Sequence, residues 1–375
     1  MKEIDFVSDS QLFRACAEID LEAIRHNLIN ISQGLPKRAA TIAVVKAQAY
    51  GHGAVPVSKA IEDLVSAFAV AVFTEGEELR LGGISKPIYI LGYSHPASFE
   101  SVIRNKMIPA IYKLDDAIAL SNAAKSLGMR VAVNIKVDTG MRRIGFEASE
   151  SGVEAVKRIS MLDNVDINGI FTHYSTADEE ENGFADHQHS VFEKFLKGCA
   201  EQGVTFEHIS CNNTAAALRM PYSAYTDVRI GIGLYGYYPS PLMKKSVELL
   251  PAMTIKSHIV SVKEIGKGEG VGYGRTFLTK RPTRVATVPV GYADGYPRAL
   301  SNKGYVLVNG QRANIIGNVC MDMFMIDVTD VDAVDGDEVV LMGKGVDADV
   351  IADLCSTISY EIICGIGIRV KRSYK

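Results

Sequence analysis

Residues 41–53 read TIAVVKAQAYGHG, an apolar run that ends in a lysine and a glycine-rich turn. The run at 41–45 is continuously apolar after its first residue and rich in β-branched side chains, which is typical of a strand buried on both faces of a parallel sheet. Lys46 would therefore stand at the carboxyl end of a strand, the edge at which parallel α/β folds bind their ligands. From its position alone, Lys46 could equally be a lysine whose charged end reaches solvent.

Similar apolar runs follow along the chain, at 68–72, 87–91, 107–112, 131–137, 167–172, 206–210 and 228–234. Between them lie amphipathic segments such as LDDAIALSNAAKSLG and HSVFEKFLKGCAEQG. Their apolar residues recur every three or four positions and they end in glycine, as helices do. Strands that alternate with helices predict an α/β fold with a parallel sheet, and eight such strands favour a closed (β/α)8 barrel of the TIM type over an open sheet.

After residue 245 the helical pattern stops, and short strand-like segments alternate with glycine-rich turns. Asn309-Gly310 between two of these segments predicts a hairpin with a type I′ turn, because both residues tolerate positive φ. We therefore predict two domains, an N-terminal (β/α)8 barrel over residues 1–245 and a C-terminal mostly-β domain over residues 246–375.

The composition excludes several classes of function. A hydrophobic fraction of 47% and a charged fraction of 22% are typical of folded globular proteins. The net charge of -4 provides no basic surface for nucleic acid. The start, MKEIDFVSDSQLFRACAEIDLEAIRHNL, has no apolar run of signal-peptide length, and no later stretch is long and apolar enough to span a bilayer. We expect a cytoplasmic protein without membrane partners.

The segment ADHQHS holds Asp186, His187 and His189, a combination that could suggest a metal site. Histidines two positions apart on a helix point to different faces, whereas a shared ligand site usually needs residues four positions apart. No metal is therefore predicted.

The segment AVVKAQAYGHG closely resembles the cofactor-lysine signature of the alanine racemase family. Further matches lie in the same order at VDTGMRRIGF (137–146), THYSTAD (172–178), VPVGYADGYPR (288–298) and GNVCMDMFM (317–325). The resemblance covers essentially the whole chain. It implies an enzyme that interconverts L- and D-alanine with pyridoxal 5′-phosphate as cofactor. It also implies a homodimer whose active sites draw on both chains, and D-alanine as a cell-wall precursor.

The resemblance assigns the two catalytic residues. Racemisation removes a proton from one face of the α-carbon and delivers another to the opposite face, so two acid/base groups must flank that carbon. The family's cofactor lysine falls on Lys46, which would hold the cofactor covalently and act as one base. The family's second base is the first tyrosine of GYADG, here Tyr292, which would come from the partner's β domain.

Further residues are assigned to the cofactor and the substrate by the same resemblance. Arg229 would face the pyridine nitrogen, where a guanidinium keeps its own proton and weakens the ring as an electron sink. Lys136 would be carbamylated, or salt-bridged to an acid such as Asp138, and would orient Arg143. The other cofactor residues would be Tyr50, Arg143, His173, Thr214, Gly231, Ile232 and Tyr360, and those near the substrate Arg143, Met321 and, as a supporting residue, Asp322.

The chain departs from the family pattern in three places. Gln48 replaces the usual asparagine, Asn318 stands where arginine is common, and residues 365–367 lack the customary serine-containing pair. None of these changes removes a proposed base, but they leave substrate breadth open. Serine or a broader range of small amino acids is the alternative substrate. A non-catalytic protein that binds pyridoxal phosphate is a second alternative, and a decarboxylase is disfavoured because Arg229 replaces an acid at the pyridine nitrogen.

Overall fold

The computed structural model describes residues 13–181, 183–243 and 247–375. The chain forms two compact units. Among the described residues, we call the first the barrel unit, which comprises residues 23–49, 53–181, 183–243 and 247–250, and the second the β unit, which comprises residues 13–22, 50–52 and 251–375.

The strands in chain order are β1 (Ala15–Ile19), β2 (Ala40–Val44), β3 (Ala67–Val70), β4 (Ile88–Ile90), β5 (Met107–Ile111), β6 (Val131–Asp138), β7 (Phe146–Glu147), β8 (Val165–Phe171), β9 (His208–Ser210), β10 (Asp227–Ile230), β11 (Met253–His258), β12 (Ser261–Ile265), β13 (Gly270–Val271), β14 (Phe277–Leu278), β15 (Thr283–Val288), β16 (Tyr305–Val308), β17 (Gln311–Ile316), β18 (Phe324–Asp327), β19 (Glu338–Met342) and β20 (Lys371–Tyr374). The helices are α1 (Leu21–Gln33), α2 (Ala54–Ile61), α3 (Phe73–Leu81), α4 (Phe99–Arg104), α5 (Leu114–Ser126), α6 (Glu150–Ser160), α7 (Gly183–Glu201), α8 (Thr214–Arg219), α9 (Ala348–Cys355) and α10 (Ser359–Cys364).

The barrel unit is a closed parallel barrel. Its strands follow the order β5-β4-β3-β2-β10-β9-β8-β6, and pairing of β5 with β6 closes the ring. All residues of β3, β4, β5 and β10 are buried, as expected for strands covered by side chains inside and helices outside. Each fully buried Val or Ile contributes about 1.5–3 kcal/mol. The predicted (β/α)8 barrel is confirmed, and each of the eight apolar runs overlaps one strand.

The last barrel strand is shorter than the apolar run at 228–234. Strand β10 ends at Ile230, and Gly231 takes φ -112° and ψ -101°, which turns the chain away from the sheet. The remaining apolar residues form a 3-10 turn over Ile232–Tyr235 and are buried there. The apolar run therefore continues past the strand because the turn after it is also part of the core.

The β unit contains a nine-stranded sheet in the order β12-β15-β18-β17-β16-β19-β11-β1-β20. The predicted mostly-β region is confirmed, and Asn309 and Gly310 join β16 to β17 with φ of 51° and 76°, as a type I′ turn requires. Strand β1 pairs antiparallel with β11 and parallel with β20, although the predicted division places it in the barrel domain. The predicted boundary at 245/246 falls on residues 244–246, which lie outside the described residues.

Across the described ranges, no helix combines the length and the apolar character that a membrane crossing needs. The first twelve residues of the N-terminal segment, on which the expected location partly rests, are outside those ranges.

Gly51 provides a test of close packing in the β unit. A Cβ at this position would lie 2.2 Å from the carbonyl oxygen of Ile363, and the residue has φ +86°. We expect Gly51→Ala to lower the free energy of unfolding by more than the ~1–2 kcal/mol that positive φ costs on its own. Urea unfolding measures this, with Gly310→Ala as the matched control, because Gly310 has φ +76° but open space around its Cβ position. Equal losses in the two variants would contradict the packing argument.

Candidate active site

Lys46 lies at the rim of the barrel, two residues after the end of β2, and is half-buried. It begins an unusual turn, because each of the next four residues, 47–50, has φ between 51° and 56°. Left-handed backbone costs an L-residue about 1–2 kcal/mol and rarely continues beyond one residue. Such strain persists only where the surrounding structure fixes it, and it is concentrated at functional sites.

Two glutamates of α3 hold this turn in place. Oε1 of Glu75 accepts a hydrogen bond from the backbone N–H of Ala47 at 2.7 Å, while its Oε2 accepts one from Ala71 at 2.7 Å. The Gln48 amide donates to Oε2 of Glu78 at 2.5 Å. Gln48, which departs from the family pattern, thus anchors the turn that carries Lys46. No local sequence pattern indicates the role of the two glutamates, because only the fold brings helix α3 to this turn.

Arg229 lies inside the barrel near its rim and is 4% exposed. Its guanidinium donates to Oγ of Ser210 at 2.5 Å and to the carbonyl oxygens of Thr172 at 2.7 Å and Cys211 at 3.2 Å. Burial lowers the pKa of Arg229 to about 10, so the group still carries its proton at neutral pH. Ser210 is a contact that sequence reasoning missed, because a serine at a strand end carries no distinctive pattern.

His173 follows β8 and meets Arg229, with 3.3 Å between its Nδ1 and a guanidinium nitrogen. Burial lowers the pKa of His173 well below its usual value, and four neighbouring cations act in the same direction. These cations are Arg229, Arg143, Lys136 and Lys46. His173 is therefore neutral at physiological pH. The positive charges of Arg229, Arg143 and Lys46 make the barrel rim attractive to anions.

Lys136 lies on β6 and is 4% exposed, and its Nζ donates to the carbonyl oxygen of Val137 at 2.8 Å. Burial, together with the nearby charges of Arg229 and Arg143, lowers the pKa of Lys136 to about 7, and Asp138 opposes this shift. A large fraction of this amine is therefore unprotonated at neutral pH. The Phe171 ring is close to both Lys136 and Arg229, with its centroid 5.5 Å from Nζ and 5.4 Å from the guanidinium carbon.

Thr214 and Gly231 meet at the end of β10. Oγ1 of Thr214 accepts a hydrogen bond from the backbone N–H of Gly231 at 2.9 Å, and both residues are buried. Ile232 begins the 3-10 turn that follows and is also buried. Because β2 pairs directly with β10 in parallel, this backbone and Lys46 emerge at the same end of adjacent strands.

Tyr292 belongs to the β unit and begins a 3-10 turn over Tyr292–Asp294. Its side chain is 44% exposed. Its backbone N–H donates to the carbonyl oxygen of Cys320 at 3.1 Å, and that of Ala293 donates to Met321 at 3.0 Å. The turn is therefore joined to the segment 320–323, which we call the 320–323 loop.

The 320–323 loop and Tyr292 line one surface pocket of about 970 Å³ in the β unit. Met321 is 53% exposed and Met323 46%, and Tyr273 on the same pocket is 76% exposed. Asp322 contacts Arg369, with 2.8 Å between Oδ1 and a guanidinium nitrogen. Tyr292, Met321 and Asp322, which the resemblance assigned to one site, thus lie together.

Tyr50 and Tyr360, both predicted to bind phosphate, are also neighbours within the β unit. Their ring centroids are 6.2 Å apart. Tyr50 is 7% exposed, and burial raises the pKa of its hydroxyl, so the group is a hydrogen-bond donor at neutral pH. The predicted residues are therefore divided between the two units.

The histidines of the ADHQHS segment lie on α7. Nδ1 of His189 is 2.8 Å from the hydroxyl of Tyr174, and the ring of His187 stacks on Phe184. Within 13–181, 183–243 and 247–375, no group of three or more His, Cys, Asp or Glu side chains could hold a metal ion.

Two family models match the chain. One, described as alanine racemase, N-terminal domain, matches residues 19–239, and the other, alanine racemase, C-terminal domain, matches residues 252–374. The chain is 43% identical over 366 residues to an alanine racemase of Clostridium novyi (strain NT), a match that covers 96% of this chain and 94% of the relative. It is 42% identical over 362 residues to an alanine racemase of Desulforamulus reducens, covering 96% and 98% of the two chains.

Solved structures of alanine racemases are also similar to this chain. The alanine racemase of Clostridium difficile 630 has a TM-score of 0.94 at 40% identity, and the match covers 96% of this chain and 95% of that one. The alanine racemase from Bacillus anthracis with bound L-Ala-P has a TM-score of 0.92 at 33% identity, with 97% and 95% covered.

Proposed function

The chain belongs to the alanine racemase family, and from this premise we propose that it interconverts L- and D-alanine with Lys46 and Tyr292 as its two bases. The proposal is supported above all by the positively charged side chains at the barrel rim. There Lys46 begins a strained turn near the buried, protonated Arg229, and the guanidinium of Arg143 adds a further positive charge around His173. Such a rim suits an amino-acid carboxylate and a phosphorylated cofactor.

The residues at the rim fit pyridoxal 5′-phosphate. Lys46 provides an amine for its aldehyde, and Arg229 provides a guanidinium for the pyridine nitrogen. The backbone N–H groups of Gly231 and Ile232 and the hydroxyl of Thr214 would hold the phosphate. A Cβ on Gly233 would lie 2.8 Å from Cγ2 of Thr214, so a side chain there would crowd the hydroxyl. Tyr50 and Tyr360 would add two phenolic donors, and His173 would steady Arg229.

When bound, pyridoxal phosphate draws electrons from the α-carbon of the amino acid and so makes its proton removable. Arg229 retains its own proton because its pKa of about 10 lies well above neutral pH. Arg229 would therefore hold the pyridine nitrogen without giving it a proton, which would disfavour side reactions. Lys46 removes or delivers the proton at one face of the α-carbon, and Tyr292 does so at the other. Arg143 and the backbone of Met321 would bind the substrate carboxylate, with Asp322 in support.

Tyr292 would reach the substrate from the partner chain of a homodimer. The pocket that Tyr292 and the 320–323 loop line is bordered by exposed Tyr273, Met321 and Met323, which a second copy would cover. A phenolate that faces the cationic rim of the partner's barrel is stabilised by Lys46, Arg143 and Arg229 of that barrel. The dimer thus supplies both the second base and the charge that activates it. A cytoplasmic location and the use of D-alanine in the cell wall stay predictions.

We further propose that Lys136 is carbamylated. Its unprotonated amine attacks carbon dioxide, a nitrogen–carbon bond forms and a proton leaves to solvent, which gives an anion that can pair with Arg143. With a pKa of about 7, Lys136 offers more free amine as the pH rises through neutrality. We expect a carbamate signal in carbon-13 NMR with labelled bicarbonate that grows between about pH 6 and about pH 8. The signal should be missing in Lys136→Met, and its absence from the unaltered protein across this range would contradict the proposal.

Incubation of the cofactor-loaded protein with L-alanine in D2O tests the proposed function. We expect optical activity to decay to zero while deuterium enters the α-position, because both bases exchange their protons with solvent. L-serine under the same conditions tests the broader alternative. Retention of optical activity with both amino acids would rule out racemisation and favour a non-catalytic cofactor-binding protein.

A further inference from the structure

Asp294 closes the turn on which Tyr292 stands. Its Oδ2 accepts a hydrogen bond from the backbone N–H of Gly291 at 2.9 Å. The Asp294 side chain is only 5% exposed. A carboxylate this deeply buried must be paired to remain charged. The conformation of the Tyr292 turn therefore depends on what pairs with Asp294.

Two arginines from distant parts of the sequence provide the pairing. Nε of Arg369 lies 3.0 Å from Oδ1 of Asp294, and a guanidinium nitrogen of Arg14 lies 3.6 Å from its Oδ2. The backbone N–H of Gly367 also donates to the carbonyl oxygen of Asp294 at 2.9 Å. The segment around Arg369 is thus fastened to the Tyr292 turn by its main chain as well as by its side chain.

Arg369 also reaches the 320–323 loop. While its Nε faces Asp294, its terminal nitrogen contacts Oδ1 of Asp322 at 2.8 Å. Arg14 also connects the segment before the Tyr292 turn with the 320–323 loop. It donates hydrogen bonds to the carbonyl oxygens of Pro289 at 3.0 Å and Asp322 at 2.7 Å. The planar guanidinium of Arg369 therefore bridges the turn that carries Tyr292 and the loop that carries Met321.

We propose that Arg369 and Asp294 are positioning residues that fix the direction of the Tyr292 side chain relative to the 320–323 loop. This inference rests on the proposed role of Tyr292 as the second base. The pair touches neither substrate nor cofactor and acts through the backbone of the turn. Tyr292 is 44% exposed, so the direction of its side chain depends in part on the conformation of the turn from which it projects.

The bridge depends on the shape of arginine. A guanidinium offers donors at fixed angles and can meet two carboxylates at once, whereas the ammonium of lysine is a point charge on a flexible stem. Arg369→Lys should therefore keep the charge beside Asp294 but lose the connection to Asp322. Asp294→Asn keeps an acceptor for Gly291 but removes the charge that holds Arg369.

The test compares Arg369→Gln, Arg369→Lys and Asp294→Asn with Arg281→Gln. Arg281 pairs with Asp330 on the surface of the same unit, and both side chains are exposed, so this control removes an ion pair that has no connection to the turn. Amide hydrogen exchange is measured on peptides that cover residues 288–298 and 317–325. This readout needs neither cofactor nor substrate.

We expect exchange in both peptides to speed up by about tenfold or more in Arg369→Gln and Asp294→Asn, and less in Arg369→Lys, with the control unchanged. In the loaded enzyme, kcat for racemisation should fall roughly 10- to 100-fold, and KM should rise by a smaller factor, because the variants misplace the base Tyr292 and also loosen the loop that carries Met321. The enantiomer whose proton Lys46 removes should still exchange with D2O, with retention of configuration, at close to the normal rate.

Unchanged amide exchange in all three variants would overturn the proposal, whatever their rates of racemisation. An equal fall in racemisation and in retained exchange from both enantiomers would also overturn it, since that indicates general damage to the site. If Arg369→Gln does not fold, the same measurements on Arg369→Lys and Asp294→Asn decide the question. Failure of the unaltered enzyme to racemise alanine would remove the proposed function, while the amide exchange would still decide whether the pair fixes the turn.

Discussion

Lys46→Ala is expected to abolish racemisation, with a fall in kcat/KM of more than ~10⁴-fold. The change removes one of the two bases and also the amine that would hold pyridoxal phosphate covalently. Bound cofactor should therefore lose its visible absorbance maximum and leave the protein on dialysis. Absorbance spectra before and after dialysis, together with the polarimetric rate, measure both effects.

Lys113→Ala is the matched control for this variant. Lys113 also follows a barrel strand, β5, by two residues but is exposed and lies outside the group of cations around His173. It should keep the absorbance and the rate of the unaltered enzyme. Retention of covalently bound cofactor by Lys46→Ala, shown by borohydride reduction and peptide mass, would place the cofactor lysine elsewhere.

Tyr292→Phe should retain bound cofactor but lose roughly 10²- to 10⁴-fold in kcat, the usual contribution of one general acid/base. Phenylalanine keeps the ring and removes only the group that moves the proton. The exchange of the α-proton should be lost for only one of the two enantiomers. One enantiomer should still exchange with D2O through Lys46 and keep its configuration, while the other should neither exchange nor invert.

Proton NMR of the α-position, started separately from L- and D-alanine, measures this asymmetry. Tyr273→Phe is the control, because Tyr273 borders the same pocket and is 76% exposed. Equal residual exchange from both enantiomers in Tyr292→Phe would show that the second base is another residue.

The barrel could be predicted from sequence because its strands are buried on both faces and therefore read as separate apolar runs. The predicted family and fold class are both confirmed. Strand β1 was harder to place, because its partners β11 and β20 lie more than two hundred residues away and no local pattern indicates them. Helix α9 was missed although a signal was present, since Asp347 caps it by accepting a hydrogen bond from Val350.

The site was predictable only in part. Local patterns marked Lys46 at the end of a strand, and the family resemblance added the other residues, whose roles stay predictions. Neither indicated Glu75, which holds the Lys46 turn, or Arg369, which meets Asp294 and Asp322. These contacts join segments from different parts of the chain, so only the fold brings them together.

The central claim is that one active site combines Lys46 of one chain with Tyr292 of its partner. Mixing inactive Lys46→Ala with inactive Tyr292→Phe tests it directly, because a heterodimer would contain one site in which both residues are intact. After subunit exchange, followed by mass spectrometry of differently tagged chains, activity should recover to about a quarter of that of the unaltered enzyme. No recovery despite complete exchange would contradict the claim and place both bases within a single chain.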